Sequence, residues 1–251
     1  MTKKELYGIL KERFKQVLEE NQIENDRLSV SCRALTPEEA VGKTKRTDYP
    51  ILTGKDVMIQ AEYKGFKGQA FTDAPAAFEG MLEDILQMDI EHNPHDRGIF
   101  IATVNAVMAS LGLCRGTVHC RTDGPELCAR DMQQFLETNY PDIQRIALVG
   151  FQPSLLEMLA SGRYEVRVMD LNPGNIGKVK FGICVEDGAV MKDEIINSYA
   201  ELILCTGSTI CNGTIVDYMN LDTDVLFFGT TASGAAPLLG LKRVCFADKY
   251  E

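Results

Sequence analysis

A mixed α/β fold in two parts is what this sequence predicts, and three observations carry the prediction. Amphipathic helices and alternating strands fill the chain as far as Tyr140-Pro141. Beyond that point short, nearly continuous Val/Ile/Leu runs alternate with short helical stretches, the pattern of strands buried on both faces of a parallel sheet. Several of those runs end in segments rich in Gly, Ser, Thr and Asn, residue types suited to the turns that lead from strand to helix. The expectation is an α+β domain over residues 1–141, followed by a small Rossmann-like α/β domain over 142–251 that alone holds a parallel sheet.

In the first part, Thr2-x-x-Glu5 is a capping box, in which the Thr hydroxyl and the Glu carboxylate each satisfy a free backbone N–H. Leu6, Ile9, Leu10, Phe14, Val17 and Leu18 follow at helical spacing, so the first helix runs to about Glu20. Asp26–Leu35 alternates, with Leu28, Val30 and Cys32 on one face, and reads as a strand. Thr36-Pro37-Glu38-Glu39 is a second capping box with Pro at the first helical position. Asp56–Tyr63 and Phe66–Phe71 flank Lys64-Gly65 as a hairpin. Pro75–Met88 returns to helical period through Phe78, Leu82, Ile85 and Leu86. Asn93-Pro94 opens a longer apolar helix to Leu111, with Gly112 as its stop. Asp123-Gly-Pro-Glu126 caps another, to about Asn139. The strands of the second part are Arg145–Gly150, Glu165–Asp170, Glu201–Thr206, Asp224–Gly229 and Arg243–Phe246.

The chain has 251 residues, 45% apolar and 25% charged, a composition ordinary for a soluble globular protein. Acidic residues outnumber basic ones by 36 to 26, a net charge of −10. Nucleic acid and anionic membranes are recognised by clustered Lys and Arg, so neither is an expected partner. A small anionic ligand needs only a local site and stays open, as does assembly into a homo-oligomer. Gly98–Cys114 and Val225–Leu241 are free of charge, but each falls short of the roughly 20 apolar residues of a spanning helix. Eight cysteines are too few for a disulfide scaffold. The opening Met1-Thr-Lys-Lys-Glu-Leu6 lacks a secretory apolar run, so a cytoplasmic location with reduced thiols is expected.

Ligands of open α/β sheets bind beyond the carboxyl ends of the strands, so the strand ends are the first candidates. Val149-Gly150-Phe151-Gln152-Pro153 allows a sharp turn into a helix but is no G-x-G-x-x-G fingerprint. Asp170 follows Gly150 by twenty residues, where a ribose-binding acid often stands; a helix cap or loop role is the alternative. Thr206-Gly-Ser208-Thr209-Ile-Cys211-Asn212-Gly-Thr214 and Gly229-Thr230-Thr231-Ala-Ser233-Gly234 are hydroxyl-rich loops. Free N–H groups and the helix dipole at such loops favour a carboxylate or phosphate, and two on consecutive strands predict a polar ligand site. In the first loop the strand is expected to end at Thr206 and the helix to begin near Asn212 or Gly213. The hydroxyls of Ser208, Thr209 and Thr214 then surround one small volume, and Thr209→Val is expected to weaken ligand binding.

Cys32, Cys184, Cys205 and Cys245 read as small core residues. Cys114, His119, Cys120 and Cys128 are neighbours in sequence without a C-x-x-C pair, so packing is expected rather than metal ligation. Cys211 sits in the third strand-end loop, where a thiolate can face the cleft. His92 and His95, beside Asp89, Glu91 and Asp96, are a candidate set for a borderline metal against the reading of a solvated loop. Any metal is expected to bind through a ligand or a few cleft residues, not a closed cysteine site.

Four motifs in order carry a family resemblance. They are Ala102-Thr-Val-Asn105-Ala106 with Asp96 nine residues before the Asn, Val149-Gly150-x-x-Pro153, Thr206-Gly-Ser-Thr209-x-x-Asn212-x-Thr214, and Gly229-Thr230-Thr231 followed by Pro237. With these the chain resembles the putative heavy-metal chelation family of unknown function, whose members join an enolase-N-terminal-like domain to a Rossmann-like one. Phe100 departs from the pattern, standing where a small Gly is expected. The resemblance implies a site in the cleft between domains, built from Asn105, Gly150, Phe151, Pro153, Asp170, Thr206, Ser208, Thr209, Asn212, Thr214, Gly229, Thr230 and Thr231. Asn105 either holds the ligand or caps a neighbouring backbone group.

Three function classes follow. One is a protein that binds a small molecule or metal chelate, or an enzyme acting on it, with a transition metal or metal chelate as its cofactor. Another is a transferase using a nucleotide-like cofactor such as S-adenosylmethionine, with Asp170 on the ribose. The last is a non-catalytic partner-binding protein.

Overall fold

A computed structural model of the protein describes residues 1–23, 29–53 and 57–251. Helix α1 (Lys3–Glu20) starts on the predicted capping box: Thr2 Oγ1 accepts the Glu5 N–H at 3.2 Å, and the Glu5 carboxylate accepts the Thr2 N–H at 2.7 Å. Its buried stripe is Leu6, Tyr7, Leu10, Phe14 and Leu18. Strand β1 covers Ser29–Ala34; the expected start at 26–28 lies outside the described residues. Thr36 and Glu39 form the second box, opening α2 (Pro37–Val41), and α3 (Pro50–Thr53) follows.

β2 (Val57–Tyr63) and β3 (Phe66–Thr72) pair as the expected hairpin, with Tyr63 opposite Phe66; residue 56 lies outside the described residues. Lys64 (φ 50°) and Gly65 (φ 80°) both take positive φ, as a two-residue hairpin turn that matches the strand twist requires.

The segment read as one helix over Pro75–Met88 divides. Phe78–Met81 is a strand, β4, and only Leu82–Gln87 is helical, as α4. Spacing alone made Phe78 and Leu82 one face of a helix, but β4 pairs with β1, placing Phe78 opposite Cys32 and Met81 opposite Ser29. The first sheet is therefore antiparallel throughout, in the order β3-β2-β1-β4.

Helix α5 (Pro94–Ser110) is capped by Asn93 and buried without a break from Arg97 to Met108, as suits a helix apolar on all sides. It lies against β3 at Gly68, where a Cβ would fall 2.2 Å from both Ala102 O and Ala106 N, so no other residue fits there. Helix α6 (Gly124–Asn139) starts as expected, but the Asp123 side chain makes no capping bond.

The second sheet has the order β10-β9-β5-β6-β8-β7. Its strands are β5 (Arg145–Val149), β6 (Glu165–Asp170), β7 (Val179–Lys180), β8 (Ile183–Asp187), β9 (Leu202–Thr206) and β10 (Asp224–Phe228). All pairs are parallel except the edge pair β7/β8, which the sequence reading did not include. Arg243–Phe246, expected as a strand, contributes only an isolated bridge between Arg243 and Phe227. Helices α7 (Pro153–Ser161), α8 (Gly188–Glu194), α9 (Thr209–Asn212) and α10 (Ala235–Leu239) connect or follow these strands.

Alternation along the strands divides the core. Ala147, Val149, Ile203, Cys205 and Phe227 face a core shared with α1, α5 and the first sheet. Ile146, Leu148, Leu202, Leu204, Leu226 and Phe228 face α6 (Met132, Leu136) and α7 (Leu155, Leu156, Leu159). The two sheets lie on either side of Tyr140-Pro141 in sequence, yet α6, which precedes that point, covers one face of the second sheet, and α1 packs against α9 and α10 that follow its strands.

Tyr7 of α1 donates to Ile210 O at 2.8 Å, and its ring lies 4.6 Å from the Arg97 guanidinium. Arg97 in turn donates to Ile90 O, Glu91 O and Cys211 O at 2.7–2.9 Å, a buried cation satisfied by carbonyls. Cys32 and Cys205 are buried as expected, whereas Cys184 is exposed because β8 lies next to the sheet edge. No helix among the described residues is long and apolar enough to cross a membrane.

Candidate functional site

The strand order reverses at β5: β6 and β8 lie to one side of it, β9 and β10 to the other. The crevice beyond the carboxyl ends at such a point is where open α/β sheets bind ligands. Gly150, just past β5, has φ +87°, and a Cβ there would meet Thr206 Cγ2 at 2.5 Å. Glycine thus lets the ends of β5 and β9 approach.

Asp170 closes β6. Its carboxylate accepts the N–H groups of Phe151 (2.9 Å) and Asn172 (2.8 Å) and the Asn175 amide (3.1 Å). A carboxylate has about four lone-pair positions, so three are spent joining the loops after β5 and β6.

The third strand-end loop is tighter than its sequence suggested. The strand ends at Thr206; a one-turn α9 begins already at Thr209, and a 3-10 helix over Thr214–Tyr218 follows from Gly213, close to the expected start. Thr209 Oγ1 donates to Thr206 O at 2.7 Å, so its proton is used within the turn. Thr206 Oγ1 and Ser208 Oγ lie 3.0 Å apart. Asn212 Oδ1 accepts both the N–H and the hydroxyl of Thr214, and Gly213 takes φ +75°. A helix of four residues sums few peptide dipoles, so its pull on an anion is slight. In the fourth loop Thr231 Oγ1 accepts the Phe71 N–H at 3.0 Å, tying β3 to the end of β10. Arg243 donates to the carbonyls of Gly229, Arg115 and Gly116.

These ends border a cavity of about 510 Å³, within the range of small-molecule sites. Gly150, Phe151, Pro153, Asp170, Thr206, Ser208, Thr209, Asn212, Thr214, Gly229, Thr230 and Thr231 all line it. Asn105 does not: it is wholly buried, and its amide is engaged by Gln69, Thr230, Thr231 and Gly234. It does face the strand-end loop after β10.

Opposite walls come from residues the sequence reading did not place at the site, the cysteines among them read as packing or core. Tyr49, Ile51, Met58, Phe71 and Asp73 contribute from the N-terminal part, and His119, Cys120, Cys128, Met132 and Cys245 from the side of α6. Among the described residues no Lys or Arg lines the cavity, while Asp73 and Asp170 do. Burial holds the His119 imidazole below its ordinary pKa of 6.5, favouring the neutral ring. The Cys128 thiol is pushed up to about 12, first by its hydrogen bond to Cys120 and then by burial. Sequence spacing gave no sign that Cys245 joins Cys120 and Cys128.

Cys211 lines the cavity, whereas His92, His95 and Asp96 stand away from it. His92 pairs with Asp89 and Glu91 on the surface, His95 Nδ1 lies 3.2 Å from Pro75 O, and Asp96 accepts the Asp89 N–H. Among the described residues no group of three or more His, Cys, Asp or Glu side chains is arranged to hold a metal ion.

Residues 134–241 match the model of a family, DUF364, described as putative heavy-metal chelation. The match falls on the stretch with the Gly150, Thr206 and Gly229 motifs; Asn105 lies outside it. A crystal structure of a DUF364 family protein of unknown function from Pyrococcus horikoshii is similar, with 18% identity and a TM-score of 0.51, over 89% of this chain and 80% of that one. Another, from Desulfitobacterium hafniense, gives 12% identity and a TM-score of 0.44 over 73% and 72%. The first likeness is one of fold. No curated protein matches.

Proposed function

We propose that the protein binds a small metal chelate, or the chelating molecule itself, in the cavity at the strand ends, and that the buried part of this ligand is neutral or cationic. The observation that carries the reading is the chemistry of the wall. Hydroxyls, carboxylates, thiols and aromatic rings line it, and among the described residues no cationic side chain does. An anion buried without a cation loses its hydration uncompensated, whereas a cation gains from the carboxylates of Asp73 and Asp170. The family match over residues 134–241 supports metal handling as the context.

The test is a thermal-shift series with iron and nickel chelates, the free chelators and the free ions, repeated on Ser208→Phe to fill the cavity. A chelate at 100 times its Kd should stabilise the parent by about 2.7 kcal/mol and leave the variant unmoved. Equal shifts for both proteins would place binding elsewhere.

A second reading has an observation of its own. The parallel strands run in the order β10-β9-β5-β6-β8, and Asp170 ends β6, the second of them along the chain, with lone-pair capacity left, where an adenosyl ribose sits in Rossmann-like folds. S-adenosylmethionine, a cation at sulfur, suits the same wall. Its presence in the ligand series separates the two: stabilisation by adenosyl compounds and not by chelates selects the transferase.

A further inference from the structure

Tyr49, Pro50 and Ile51 form one wall of the cavity, and they close the segment that joins α2 to α3. The near end of that segment is fixed, since Val41 O accepts the Thr122 N–H at 2.8 Å. Gly42 follows at φ +70°, a conformation that favours glycine. Among the described residues, no backbone hydrogen bond then ties residues 43–49 to any element but α3, where the Leu52 N–H donates to Tyr49 O. A stretch of wall without such bonds belongs to the part of a fold that opens most readily.

Side chains fasten it instead, at two points. The inner one is Tyr49, which is buried; its hydroxyl donates to Glu126 Oε1 of α6 at 2.9 Å and lies 2.7 Å from Ser154 Oγ of α7. The outer one is Arg46. Asp48 holds its guanidinium from within the segment, accepting from Nε at 2.9 Å and Nη2 at 2.8 Å. Arg46 Nη1 donates to Glu157 of α7, and the guanidinium lies 5.3 Å from the ring of Phe181 in the β7–β8 turn. Phe181 takes φ 52°, uncommon for a bulky residue, and this turn presents its ring to the segment. The Glu157 side chain is 48% exposed, so water competes for the outer fastening before it reaches the inner one.

We propose that residues 43–49 are a gate over the cavity. Arg46 closes it on Glu157 and Phe181, Tyr49 closes it on Glu126 and Ser154, and it swings between Gly42 and α3 to admit the ligand. The gate serves the cavity of the proposed function, yet its test uses no ligand, so the two stand or fall separately.

The full-length protein is alkylated with iodoacetamide, a neutral reagent, at about pH 8, and each cysteine is followed by peptide mass spectrometry. Cys128 lines the cavity close after Glu126 in α6 and reports the gate. Cys184, which is exposed, reports the reagent, and Cys205, wholly buried in the core, reports unfolding. Arg46→Met keeps the stem and removes the charge. Alkylation of Cys128 is expected to quicken at least about fivefold in this variant, and to quicken in Glu157→Gln, with Cys184 and Cys205 unchanged in both. A parent-like rate at Cys128 in folded Arg46→Met would overturn the gate. An equal acceleration at Cys205 would overturn it too, because the whole fold would then be loosened. Should circular dichroism show Arg46→Met to be misfolded, Tyr49→Phe, which keeps the ring and removes the inner bonds, takes its place under the same criteria.

Discussion

The side-chain oxygen of Asn105 accepts the backbone N–H of Gly234 at 2.7 Å, and that bond fixes the loop after β10 against the middle of α5. The amide nitrogen completes the clamp, reaching the carbonyls of Gln69 (2.8 Å), Thr231 (2.9 Å) and Thr230 (3.2 Å). One residue thus joins α5, β3 and the end of β10 behind the cavity wall.

Asn105→Leu keeps the volume and removes every one of these bonds, leaving a buried N–H and three carbonyls without it. An unpaired buried group costs about 1–3 kcal/mol, so a loss of roughly 2–4 kcal/mol is expected in urea unfolding. A loss under about 1 kcal/mol would mean that water replaces the amide.

Thr209→Val is expected to lower stability by about 0.5–1.5 kcal/mol through the lost bond to Thr206 O, and to leave the affinity for a cavity ligand unchanged. Isothermal titration with whichever compound stabilises the parent decides this. A tenfold fall in affinity with unchanged stability would return Thr209 to the ligand.

Gly150→Ala and Gly229→Ala separate backbone strain from collision. Both positions have φ near +88°, but only at Gly150 would the new methyl meet a neighbour, Thr206 Cγ2 at 2.5 Å; at Gly229 nothing lies within 4 Å. Positive φ alone costs a non-glycine residue about 1–2 kcal/mol. Gly229→Ala should cost that much in urea unfolding, and Gly150→Ala at least about 1 kcal/mol more because β5 and β9 must part. Equal losses would show that Thr206 rotates away freely.

What could be read from the sequence was what local chemistry decides. Thr2 and Glu5, Thr36 and Glu39, and Lys64-Gly65 act on backbone within a few residues, and each behaves as its pattern implies. Four strands of the second sheet, β5, β6, β9 and β10, announced themselves by their apolar runs, whereas β8, five residues long like three of them, did not. Phe78 did not, since its spacing to Leu82 suits a helix and only β1 makes it a strand. Thr209 reads as a ligand group because hydroxyl-rich loops favour one; that its proton goes to Thr206 O depends on a turn too tight to infer from composition. Cys245 reaches Cys128 through the packing of the final segment against α6, which no spacing rule encodes. The missed wall residues Tyr49 and Asp73 reach the cavity in the same way, from another part of the chain.

The seating of α1 on α9 and α10 bears on how the chain matures. Proteins made on the ribosome usually complete their N-terminal portion first, folding domain by domain. Here the first helix has no finished surface until β9, α9, β10 and α10 exist, because Tyr7, Lys3 and Arg13 bond to Ile210, Asn212 and Leu238. Phe14 can pack on Phe100 once α5 is made, but Tyr7 stays without its partner Ile210 until α9 emerges. Closure therefore comes near the end of synthesis, and the growing chain is a natural client for holding chaperones. A chain severed at Tyr140-Pro141 would yield two mutually dependent pieces that regain order only when mixed.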